Sequence, residues 1–228
     1  MRAAVSFEGL ARAGRALKAF AFLYLPFHEL PLDTFFSRFG LWSCVEAMAY
    51  EADELNECGG SAEEAEAALK PLTQLLKSQN LLDQRCREQL AHARKYFAFE
   101  RRYRSGEPWK VADVLRAAAL RSFDLRLLHR LLWRTEGWRY LESVFEAFQP
   151  FEELMEFDDD RGSVEEDRRA RTFNVCVALS EARGKPGERY VRRIREGVAA
   201  ARTRMGRRYE AMLQKYYSLV PKTVLQGD

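Results

Sequence analysis

Apolar side chains recur at intervals of three and four residues along almost the whole chain, and strand-like alternation is hard to find. Glycine and proline are confined to a few places, which mark the connections between helices. Pro26 and Pro31 separate a first helix (about 6–24) from a second (about 33–57), with Asp33 as its expected N-cap. Cys58-Gly59-Gly60 closes the second helix, and Ser61 with Glu64 has the spacing of a capping box opening the third. A break near Ser78-Gln79-Asn80 leads to a fourth helix, reaching about 104. Ser105-Gly106-Glu107-Pro108 stops that helix and starts a fifth, which runs to about 134. A sixth is expected over about 138–160, a seventh over about 163–183, and a last one beyond Gly184-Lys185-Pro186-Gly187 to Tyr217. The pattern predicts an all-α protein, a single-domain antiparallel bundle of about eight helices over 1–228. No internal repeat or low-complexity linker divides it.

Charge is balanced in sum and uneven in place. Lys and Arg number 37 against 34 Asp and Glu, a formal +3. Acid dominates 46–66 and 142–167, base 85–139 and 168–208. Arginines spread along helices form solvated faces, and no nucleic-acid reader motif accompanies them, so no nucleic-acid partner is expected. Cys44, Cys58, Cys86 and Cys176 form no CxxC pair and read as reduced thiols of a cytoplasmic protein. No apolar run approaches the roughly 20 residues of a membrane span. Residues 1–25 are rich in Arg and Ala and nearly free of acid, as in an organelle-targeting presequence. The reading preferred here is a peripheral first helix, with Phe20, Leu23 and Leu25 capping a core.

Residues 151–174, FEELMEFDDDRGSVEEDRRARTFN, are dense in carboxylates, interleaved first with apolar residues and then with arginine. On a helix at about 100° per residue, Glu152, Glu156 and Asp160 stack at i, i+4 and i+8, with Glu153 one position around. Like charges at that spacing repel, and a hard cation such as Mg²⁺ relieves the repulsion through carboxylate oxygens. A second stripe lies in the second helix. Asp53 and Glu57 are i, i+4 partners, and Glu46 and Tyr50 extend their line toward the N-terminus. Taken alone, either cluster also fits a solvated helix surface.

Asp53-Glu54-Leu55-Asn56-Glu57 resembles a conservative variant of the DDxxD/E motif of class I isoprenoid synthases. Glu152 to Asp160, with Phe173-Asn174 following, resembles the second aspartate-rich motif of the squalene-synthase-like members. One turn later, Asp158 to Glu166 is similar to the terpene-synthase metal motif, with Asp158, Gly162 and Glu166 at the ligand positions. Ser122 to Leu128 also has the look of bacterial proteins of this superfamily. The resemblance implies a helical bundle with an apolar cavity, the two acidic motifs facing each other at its mouth, and Mg²⁺ gripping a prenyl diphosphate. Ionisation or displacement of the diphosphate would give an allylic carbocation. The metal set so implied is Asp53, Glu57, Glu152, Glu153, Glu156, Asp158, Asp160 and Glu166. Glutamate stands at several positions where the family motifs carry aspartate, which moves the ligand oxygens by a methylene.

A diphosphate also needs cationic donors. Arg168, Arg171 and Asn174 follow the acidic motif at helical spacing, and Arg116 and Arg121 precede it. Arg207-Arg208-Tyr209 resembles the Arg-Tyr pair that many terpene synthases use near the diphosphate. Arg171, Arg208, Tyr209 and Asn174 are the expected diphosphate-side residues. Other chemistries are poorly supported: no Glu-x-x-His pair suits di-iron, no Cys/His cluster suits zinc, and there is no nucleophile elbow or Gly-rich phosphate loop. The activity that the resemblance implies is Mg²⁺-dependent ionisation of an allylic prenyl diphosphate by a terpene synthase or prenyltransferase. The rival is a non-catalytic helical binding or scaffold protein that keeps the fold. Peripheral membrane contact and homodimerisation are further expectations.

Overall fold

In the computed structural model, which describes residues 4–182, 185–220 and 223–225, the regular structure of the described residues is helical and contains no strand. Contacts gather the chain into two compact units. One is Met1–Arg101 with Phe123–Tyr140, the other Arg102–Ser122 with Leu141–Asp228. The sequence pattern predicts one domain over 1–228. No linker composition marks the division, because its first boundary falls inside a helix. Among the described residues no helix is long and apolar enough to cross a membrane.

The first unit begins with α1 (Phe7–Ala19), capped by Ser6, whose hydroxyl accepts from the Gly9 amide at 2.9 Å. A π-helical turn, Phe20–Tyr24, and the short α2 (Leu25–Phe27) follow, and Phe20, Leu23 and Leu25 are buried. The next helix, α3 (Leu32–Glu57), is capped at the extended Pro31. Asp33 sits instead in the first turn, where its charge favours the helix N-terminus. Its C-terminus needs both glycines. Gly59 has φ +92°, and a Cβ on Gly60 would lie 2.6 Å from the Leu55 carbonyl oxygen. The capping box of α4 (Ala62–Ser78) forms as expected between Ser61 and Glu64. Most of α5 (Gln84–Arg104) belongs to this unit, together with α7 (Phe123–Thr135), which contributes Leu127, Leu128, Leu131 and Leu132 to the core.

The second unit holds α6 (Val111–Arg121), α8 (Glu142–Ala170), α9 (Val175–Glu181), α10 (Pro186–Met205) and α11 (Arg207–Leu219). Several helix boundaries differ from those expected. The fifth expected helix is two, α6 and α7, broken at the buried Ser122. The expected break near 160–163 is absent: α8 runs through Gly162, an exposed position where a glycine costs only about 1 kcal/mol. That helix ends at Arg171, whose left-handed backbone (φ 57°) closes it. The last expected helix is divided into α10 and α11 at Gly206, φ +65°. Between α8 and α10 the backbones come close, since a Cβ on Gly197 would lie 2.8 Å from Pro150. Phe148 and Phe151 of α8 meet Tyr209 edge-on, and Phe151 meets Tyr216 in the same way.

Candidate functional site

The acidic stripe of α3 survives folding as a stripe. Glu46, Tyr50, Asp53 and Glu57 share one face, because spacings of four, three and four residues return to the same side of an α-helix. Asp53 and Glu57 are half-buried. Glu46 is fully buried and, among the described residues, neither carboxyl oxygen has a hydrogen-bond partner. Burial, and then the charge of Asp124 on α7, push its pKa well above the ordinary 4.5, so the group stays neutral where other glutamates ionise. Trp42 Nε1 and Ser43 Oγ, on the same turn, are also buried without a hydrogen-bond partner. Three polar groups in this state on one turn form a costly arrangement, about 1–3 kcal/mol for each. Sequence reasoning placed Glu46 on the stripe without seeing its burial.

Asn56, inside the same motif, has a different task. Its side-chain amide donates to Glu100 at 2.7 Å and its oxygen accepts from Arg101 at 2.6 Å, while Tyr96 donates to Glu100 at 2.6 Å. This network ties α3 to α5, and no sequence signal linked those residues. A pocket of about 340 Å³ opens between α3 and α4, lined by Glu51, Leu55, Glu64, Ala67, Ala68 and Pro71 together with Ala4. Glu51 and Leu55 face away from Asp53 and Glu57, so the pocket lies behind the acidic stripe. Elsewhere in the unit, His28 and His129 bring their Nε2 atoms to 2.7 Å, and Trp133 Nε1 donates to His129 at 3.3 Å. Burial, aided by His28 and Arg130, pulls the His129 pKa well below 6.5.

In the second unit the continuous α8 separates the two registers of the acidic motif. Glu152, Glu156 and Asp160 occupy one side; Asp158, Gly162 and Glu166 lie on the other. On the first side Arg121 of α6 reaches both Glu156, Nε to Oε2 at 3.1 Å, and the fully buried Asp160 through Nη1. Ser122 donates to Glu156 at 3.0 Å, and the Val175 amide donates to Asp160 at 2.6 Å. Burial raises the Asp160 pKa; Arg121 and the Val175 amide pull it back without cancelling the shift. Glu153 is held by Arg193 of α10 and accepts from Gln149 at 3.2 Å. Glu152 is fully buried near Tyr209. On the other side Asp158 accepts from the Val224 amide at 2.8 Å and from the Tyr216 hydroxyl at 3.0 Å. Glu166 is exposed.

The expected diphosphate-side residues separate in the same way. Asn174 caps α9, accepting from the Val177 amide at 3.0 Å, and donates to the Asp160 carbonyl and the Asp167 carboxylate at 2.7 and 2.8 Å. Arg171 is exposed at the end of α8, and Arg208 is exposed at the start of α11. Tyr209 is fully buried with no hydrogen bond to its hydroxyl, and burial followed by Glu152 raises its pKa.

Hard carboxylate oxygens are what Mg²⁺ prefers. Among the described residues, however, no three Asp, Glu, His or Cys side chains converge in a group able to hold a metal. On α8, arginine already does the work of a cation: Arg121 neutralises Glu156 and Asp160, and Arg193 neutralises Glu153. In this conformation Glu153, Glu156 and Asp160 fit a cation only if those guanidinium groups leave. Compared with models of protein families, with curated proteins and with solved structures, the chain matches none.

Proposed function

We propose that this chain acts on a prenyl diphosphate in the manner of the class I isoprenoid synthases it resembles, using Mg²⁺ and the carboxylates of α3. The observation that carries the reading is on α3. A stripe with motif spacing, Asp53 and Glu57, continues into a buried carboxyl group whose oxygens no protein donor meets. Polar groups buried at such cost are concentrated where a chain binds or reacts with something. The all-helical architecture agrees with it.

The test is release of pyrophosphate from allylic diphosphates of ten, fifteen and twenty carbons with Mg²⁺ present. Wild-type chain should release it, and the double variant Asp53→Asn, Glu57→Gln should lose at least about a hundredfold in rate, since even the outer-shell partners of a metal site cost about 10–100-fold when removed. Undiminished turnover in that variant would remove the α3 stripe from the chemistry.

A second reading rests on a separate observation: Glu153, Asp158 and Asp160 of α8 are already met by arginine, side-chain amide, hydroxyl or backbone donors. That favours a non-catalytic helical binding or scaffold protein. It predicts no pyrophosphate from any of the three substrates, and no change in melting temperature when Mg²⁺ and a prenyl diphosphate are added together.

A further inference from the structure

The outward face of α1 is unusual for a helix packed on its own unit. Gly9, Ala13 and Leu17 point inward. Toward solvent Phe7 is 89% exposed, Leu10 on the flank 42% and, in the π-helical turn, Phe22 40%. Between them Ala11 and Gly14 leave the surface smooth, and Arg15 and Lys18 stand exposed along the same side. The one acidic side chain there, Glu8, lies 3.4 Å from Arg12. Nearby in the chain, α3 exposes a second apolar line, with Leu32, Phe36 and Phe39 at 46%, 64% and 47%. Six of the eight large apolar side chains that are exposed among the described residues therefore fall within residues 7–39. Burying them in water-free surroundings is favourable, and leaving them out is the pattern of an interaction surface.

We infer that the outer face of α1 docks this chain on an anionic lipid surface, with Phe7, Leu10 and Phe22 entering the headgroup boundary and Arg15 and Lys18 meeting the lipid phosphates. Aromatic and aliphatic side chains mixed with basic ones along one helix face suit that boundary, where the rings are desolvated and the cations stay wet. A second copy of the chain fits less well, because a two-fold contact through this face would set Arg15 and Lys18 against like charges. The inference does not depend on the prenyl diphosphate reading.

The test is co-flotation of the full chain with vesicles. One set is phosphatidylcholine alone, the other phosphatidylcholine and phosphatidylglycerol in equal parts. Binding should be confined largely to the anionic vesicles and weaken as salt rises. Arg15→Glu and Lys18→Glu should each lower partitioning by about fivefold or more, and Phe7→Ser with Phe22→Ser by about tenfold or more. The melting temperature of each variant is measured alongside, and Phe7→Ser alone, at an 89% exposed position, should keep the wild-type value. Equal binding to neutral vesicles, no binding to either, or full binding by the double serine variant would each overturn the inference. Self-association in sedimentation equilibrium that the serine variant abolishes, without vesicle binding, would also overturn it and give the face to a second copy.

Discussion

At Glu46, burial disfavours the ionised carboxylate, and Asp124 adds repulsion to that cost. The folded-state pKa lies above the unfolded one, so above pH 4.5 the folded chain keeps a proton that the unfolded chain has released. The stability this group contributes is fully present below that pH and is lost as pH rises toward the folded value, by at most about 1.4 kcal/mol per pH unit. His129 works in the opposite sense. Its folded value is below 6.5, so its contribution is present above 6.5 and is lost as pH falls from there. Glu46→Gln should therefore gain on wild type as pH rises from 5 to 8 in urea unfolding, and His129→Phe should flatten the loss between pH 6.5 and 5. A Glu46→Gln stability that runs parallel to wild type across that range would mean the carboxyl is ionised and paired.

Among the elements, α6 and α8 are joined by a charge that cannot afford to lose its partner. Asp160 is fully buried, and Arg121 and the Val175 amide are what offset its desolvation. Removing one partner of a buried ion pair costs about 3–5 kcal/mol, far more than a solvated pair such as Lys185–Glu188 contributes. Arg121→Met should lower stability by roughly that amount. Adding Asp160→Asn should restore part of it, because the amide no longer needs a counter-charge, and a thermal or urea double-mutant cycle measures the recovery. Lys185→Met should be nearly silent. If Arg121→Met is silent too, the pair is solvated and the account of α8 as an arginine-neutralised helix fails.

For the whole molecule, the decisive fact is that neither compact unit is one continuous piece of chain. The first needs Phe123–Tyr140, which arrives only after a segment of the second. That returning piece carries Leu127, Leu128, Leu131 and Leu132, all fully buried. At about 1.5–3 kcal/mol each they amount to roughly 6–12 kcal/mol, as much as a typical domain's net stability of about 5–15 kcal/mol. A fragment ending at Arg101 should thus lack a cooperative transition by circular dichroism. The same fragment with 123–140 joined through a flexible linker should recover one. Cooperative folding of 1–101 alone would show that α7 is dispensable.

Periodicity by itself determined that the chain is helical, and capping chemistry located Ser61 and the glycines after α3, because both signals are local and repeat within a few residues. The acidic stripe of α3 was legible for the same reason: spacing fixes which residues share a helix face. Sequence did not tell that Gly162 would stay helical, that Ser122 would break a helix, or that the two registers of the α8 motif would take different partners. It also could not show that Glu46 is stripped of donors while Asp160 receives two. Those outcomes depend on Arg121, Val175 and Asp124, which lie 39, 15 and 78 positions from the carboxylates they act on. Burial and the arrival of a distant counter-charge are properties of packing, and only the tertiary structure decided them.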